Sequence, residues 1–134
     1  MRRRRSGERG DVAVEAALTF LLFFTIVIAI LEFGWAVYAF NFVSYAAKEG
    51  ARYAMVRGAN SGNPATSAMV TSFVQQEAIA LTAANLSVTT TWTPDNNPGS
   101  TVSVQVSYTF HPMTAFVLTS PIAFKANSAQ TIMQ

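Results

Sequence analysis

The hydrophobic pattern changes character three times along the chain. From Ala16 to Leu31 no residue is charged and apolar side chains fall on every side of a helix, which fits a helix surrounded by apolar material rather than one on a wet surface. After Glu32 a second uncharged stretch runs from Phe33 to Ala47. The whole of Gly10 to Arg57 contains no proline and only three glycines, so it predicts one uninterrupted helix. A membrane crossing needs roughly 20 mainly apolar residues. Residues 12–32 meet that need, and the remainder of the helix has to project beyond the bilayer. Past Glu32, the positions Phe33, Val37, Phe40, Ser44, Ala47, Ala51 and Ala54 recur at alternating spacings of four and three, forming a stripe that begins bulky and ends small. Its small half, with Gly50 beside it, predicts close packing of the chain's own C-terminal domain. The bulky half is left for packing between subunits.

Gly58 to Pro64 is a cluster of Gly, Asn, Ser and Pro that ends the helix. Ala65 to Ala84 then places Val70, Phe73, Val74, Ala78 and Leu81 at helical spacing, with Thr66 or Ser67 as the N-cap, and predicts a second, shorter amphipathic helix. From Leu86 the period falls to two. Val88, Thr90 and Trp92 alternate with Ser87, Thr89 and Thr91. After the turn Pro94–Gly99, Val102, Val104, Val106, Tyr108 and Phe110 alternate with Ser103, Gln105, Ser107 and Thr109. These are two antiparallel strands with one buried face, and a third is expected over Ile122 to Met133, beyond the connection from His111 to Pro121. The predicted fold is α+β: a long N-terminal membrane-spanning helix, a short second helix, and a small antiparallel sheet packed on the outer half of the long helix. Three regions follow: a basic leader at 1–10, the long helix at 11–57 with its span at about 12–32, and an extracytoplasmic α+β domain at 58–134.

Composition supports the span. Hydrophobic residues make up 51% of the chain and charged residues 12%, against about 25% charged in a soluble domain. The formal net charge of +2 conceals an asymmetry: Arg2, Arg3, Arg4, Arg5 and Arg9 precede Gly10 with only Glu8 against them, whereas acidic residues outnumber basic ones from Asp11 onward. Arginines before an apolar span are held on the cytoplasmic side, which predicts a single pass with the N-terminus cytoplasmic and the C-terminal domain outside. With no aromatic residues interleaved, the arginine run does not point to nucleic acid. Cysteine is absent, so no disulfide framework or thiolate metal site is expected. His111 is the single histidine, and the carboxylates are scattered. Neither a histidine metal cluster nor a Ser-His-Asp arrangement can be assembled from them. No catalytic residue, metal, cofactor or small-molecule substrate is expected, and the chain does not read as an enzyme.

Glu15 lies at the edge of the apolar run, five residues after Gly10. One reading makes it a headgroup-level carboxylate in the first turns of the helix, where the macrodipole favours negative charge. The other starts from its surroundings. The arginine-rich leader, the sequence Gly10-Asp11-Val12-Ala13-Val14-Glu15 and the apolar helix behind it resemble the prepilin processing motif of type IV pilins, in particular the tight-adherence (Tad/Flp) branch. Val14 to Leu18, Leu31 to Gly34 and Ala46 to Ala54 are similar to successive blocks of the TadE-like minor pilin (pseudopilin) family, the last being close to the family's AAREGARYA. The similarity covers about residues 7–57.

This resemblance implies a pilin-like fold and cleavage after Gly10 by a prepilin peptidase, with Asp11 as the new N-terminal residue. It implies that Glu15 sets register by pairing with an N-terminal amine, commonly a neighbouring subunit's. It also implies a place in the bacterial inner membrane or in the pilus itself, with other minor pilins, the major pilin and the inner-membrane platform protein as partners, in pilus biogenesis and surface adhesion. Ala16 and Leu21 stand where the family often has an aromatic residue and a proline, so an unkinked helix start is expected. The competing reading is an uncleaved, signal-anchored envelope protein whose small domain binds a ligand or an envelope component. At the other end of the span, Glu32 is expected to be a simple boundary charge, with Trp35 and Tyr38 as interfacial aromatics. Arg52 is expected to pair with Glu49.

Overall fold

The computed structural model describes residues 5–114 and 118–134. Residues 1–4 of the expected leader, and 115–117 of the expected His111–Pro121 connection, lie outside the described residues. Helix α1, Arg5–Met55, is a single α-helix of 51 residues. It begins within the expected leader rather than after it, because arginine is a good helix former and no proline precedes Pro64. It closes two residues before Arg57, where the Arg57 amide turns back to the Ala54 carbonyl at 3.0 Å. The start is uninterrupted, as the absence of proline predicts. Gly58 follows in a buried position, and any side chain there would collide with Ile132 and the backbone of Gln134.

Helix α2, Ser67–Glu77, is capped by Thr66, whose hydroxyl accepts from the Met69 amide at 3.2 Å. It is shorter than the span of 65–84 expected from periodicity. The chain leaves the helix at Ala78, and Ala80 takes a positive φ of 63°, a left-handed conformation that reverses its direction. Leu81 still reaches the core, but from the loop. A short 3-10 turn, Ala83–Asn85, leads into the sheet.

Strands β1 (Leu86–Thr93), β2 (Thr101–Phe110) and β3 (Ile122–Thr131) form an antiparallel meander with β2 in the centre. Leu86 pairs with Tyr108 and Thr93 with Thr101; Phe110 pairs with Ile122 and Thr101 with Thr131. Val102, Val104, Val106, Tyr108 and Phe110 are buried on one face, as the period of two predicts. That face lies along the upper half of α1. At one end the Phe124 ring meets Phe40 edge-on at 5.9 Å, and at the other the Met133 amide donates to the Met55 carbonyl at 3.1 Å. Helix α2 runs beside α1 in the opposite direction, with Phe73 stacked on Tyr53 at 4.6 Å and the Tyr38 hydroxyl donating to the Ile79 carbonyl at 2.8 Å.

The helix meets this domain through small residues. Ala39, Ala46, Ala47, Ala51 and Ala54 are buried with Val43 against Val70, Val74 and the β2 valines. At Gly50 a β-carbon would stand 3.1 Å from Val104 Cγ1 and 3.2 Å from Val74 Cγ2, so the glycine sets how closely sheet and helix approach. The bulky half of the expected stripe does not follow this face. Phe33 is 71% exposed, and Val37 and Phe40 are also exposed. The line that faces the domain instead runs through Glu32, Ala36, Ala39, Val43, Ala47, Gly50 and Ala54.

Candidate functional site

The lower half of α1 carries large apolar side chains that no other element among the described residues covers. Val12, Val14, Leu18, the run Phe20 to Phe24, Ile26, Ile30 and Leu31 are each more than half exposed. Among the described residues, α1 is the one helix long and apolar enough to cross a membrane, and none of its most apolar window is buried. An apolar surface of this extent marks a membrane or a partner. The two threonines in the segment bond within the helix: Thr19 donates to the Glu15 carbonyl at 2.9 Å and Thr25 to the Leu21 carbonyl at 2.7 Å. This satisfies their hydroxyls where water is scarce.

Gly10, Asp11 and Glu15 are all exposed on this half of the helix, and the space around Gly10 is open. Asp11 and Glu15 are one turn apart on the same face. The one salt bridge among the described residues is the expected Arg52–Glu49 pair at 3.2 Å, on the upper half. The predicted packing residues separate into two groups. Ala47, Gly50, Ala51 and Ala54 are consumed inside the molecule. Phe33, Val37 and Phe40 instead line an open apolar groove of about 390 Å³ with Leu118, Ile122 and Phe124.

Glu32 corrects the reading of a simple boundary charge. It is 2% exposed, and its carboxylate accepts from the Thr114 amide at 3.1 Å and the Thr114 hydroxyl at 3.4 Å. The residue fastens the β2–β3 connection to the helix where the apolar run ends. Trp35 and Tyr38 also do more than mark a boundary: their rings stack at 5.3 Å, and Tyr38 holds the end of α2. Sequence reasoning missed Glu32, Ala39, Val43 and Ala46. A signal for Ala39 and Val43 was present, because spacings of three and four run back from Ala54 through Gly50 and Ala47 to both.

Asp95 organises the turn between β1 and β2. The Asp95 carboxylate accepts from the Ser100 hydroxyl at 2.6 Å, and from the Asn97 amide at 3.0 Å and side chain at 2.6 Å. These bonds, the one from Ser100 foremost, hold its pKa below the ordinary carboxylate value. His111 lies 3.4 Å from the Asn85 side-chain nitrogen, in the connection after β2.

Residues 10–52 match the family model described as TadE-like protein. This stretch of α1 is TadE-like. The TadE-like segment comprises the exposed lower half of α1 with Gly10, Asp11 and Glu15, together with most of the packed upper half. The sheet domain lies beyond it. No match is found among curated proteins or among solved structures. The family match and the single long apolar helix together fit a membrane-associated protein of a tight-adherence pilus system.

Proposed function

We propose that this TadE-like protein is a minor pilin, or pseudopilin, inserted in the bacterial inner membrane with its leader inside and cleaved after Gly10 by a prepilin peptidase. The observation that carries the proposal is the lower half of α1: a largely exposed apolar helix that carries Gly10, Asp11 and Glu15 inside the family-matched segment. An ionised carboxylate in hydrocarbon costs about 2.5–3.5 kcal/mol unless it finds a partner. Cleavage creates one, the α-amino group of Asp11, so Glu15 of one subunit docks on the new N-terminus of a neighbour and sets the helix register. Cleavage also removes five arginines that hold the N-terminus inside, which lowers the cost of moving the helix from bilayer to assembly. The role is structural rather than catalytic. The major pilin, other minor pilins and the inner-membrane platform are the proposed partners, in pilus biogenesis and surface adhesion.

The deciding measurement is the intact mass of the protein from membranes, with and without a co-expressed prepilin peptidase. Loss of residues 1–10 only when the peptidase is present is the expected outcome, with Glu15→Ala cleaved normally but absent from assembled pili. An unshortened chain beside an active peptidase would replace this reading with that of a signal-anchored envelope protein.

A further inference from the structure

We infer that the base of the sheet domain is seated in the headgroup layer of the bilayer, with Ile79 and Met113 inserted as apolar tips, rather than being held clear of the membrane on the projecting helix.

The connections at the two ends of the domain differ in chemistry. At the end beside Met55, the connections are Gly58–Pro64 and Pro94–Gly99, rich in Asn, Asp, Gly and Pro as turns in water are. At the end beside Glu32 to Phe40, the descending α2 reverses at Ile79–Ala80 and β2 crosses to β3 past Met113. Among the described residues these tips carry the most exposed large apolar side chains of the domain, Ile79 at 75% and Met113 at 78%, ahead of Met133 at the other end. Each tip is tied to α1: Ile79 through its carbonyl to Tyr38, and Met113 through its neighbour Thr114 to Glu32. Glu32 ends the uncharged run, and Tyr38 is six residues on, about 9 Å along the axis. That distance is comparable to the depth at which apolar side chains lie in the headgroup and acyl boundary, about 5–10 Å. The apolar groove at Phe33, Val37 and Phe40 continues the surface of the span up to the same level.

Charge is sparse in the domain, with exposed Glu77 two residues before Ile79. Between Glu77 and Asp95, and again between Asp95 and Lys125, the sequence contains no Asp, Glu, Lys or Arg; on α1 none occurs from Phe33 to Ala47. The base lacks the basic cluster that selects anionic lipid. Its contact is therefore apolar and forms on a neutral bilayer.

The chain contains no cysteine, so single substitutions give unique labels. Full-length Ile79→Cys, Met113→Cys, Phe24→Cys and Asn60→Cys are labelled with an environment-sensitive fluorophore and reconstituted in phosphatidylcholine vesicles containing brominated acyl chains. The substituted side chains at 79 and 113 are exposed, so folding is not at issue. Labels at both positions are expected to show about half or more of the lipid quenching seen at Phe24, while Asn60 shows almost none. Quenching at Phe24 alone would overturn the seated base and leave the span intact. Shielding of 79 and 113 from aqueous iodide without lipid quenching would also overturn it, because a protein surface would then cover the base.

Discussion

Below Glu32, α1 presents phenylalanine, leucine and isoleucine outward, and among the described residues most of them meet no other element. Above it, the same helix presents alanine and glycine to a sheet and a second helix that bury them almost completely. Backbone geometry and lack of proline are common to both halves, so the difference lies in what each must satisfy. Lipid accommodates any shape, and large side chains there maximise apolar contact. A protein surface of fixed shape has to come close, and small side chains permit it. Hydrophobicity alone therefore does not tell which half of a long helix is the core.

The comparison breaks most visibly at Phe110, which is fully buried in the sheet face. Phe110→Ala is expected to cost the domain about 3–5 kcal/mol, read as a lower urea midpoint in the tryptophan fluorescence of the detergent-solubilised chain. Phe24→Ala on the lower half should leave that midpoint within about 0.5 kcal/mol of its starting value. Next in size is Gly50→Leu. With Val104 and Val74 already 3.1 and 3.2 Å from a bare β-carbon, overpacking should cost about 1–3 kcal/mol or more in the same assay. Gly50→Ala should cost less, since helix propensity returns up to about 1 kcal/mol. Thr66→Ala removes the α2 cap and should cost about 1 kcal/mol.

The smallest effect is that of Asp95, a fully exposed carboxylate. Its hydrogen bonds favour the ionised form, so the folded-state pKa lies below the unfolded one. The stabilisation is present above the ordinary value of about 3.9 and is lost as pH falls through the folded-state pKa. An acid titration of Asp95→Asn should show a shallower loss of stability over that range than the unsubstituted chain.

Much of this architecture was legible because its periods are clean. The alternation from Val102 to Phe110 marks a strand with one buried face, and Thr66 signals the start of α2 by its hydroxyl. Where apolar residues occupy every side of a helix, periodicity stops discriminating between faces. For that reason Phe33, Val37 and Phe40 read as a continuation of the alanine stripe although the domain faces Ala36, Ala39 and Val43. The end of α2 was hidden because Ala78 to Ala84 keeps a helical composition, while its reversal depends on a single positive φ at Ala80. Glu32 was misjudged for a different reason: its partner, Thr114, lies 82 positions away and no local pattern announces it. Gly10, Asp11 and Glu15 stand out in the sequence only as a motif, and their exposed positions give them no fixed partner geometry.

The clasp between Glu32 and Thr114 also has a mechanical side. Together with the bond from Met133 to Met55, it fixes the sheet to the helix at both ends, and no linker separates the two. The molecule behaves as a shaft with a collar rather than a bead on a string. A pull on the N-terminal end would load the packed face of the domain in shear, and a tilt of the shaft would carry the domain with it.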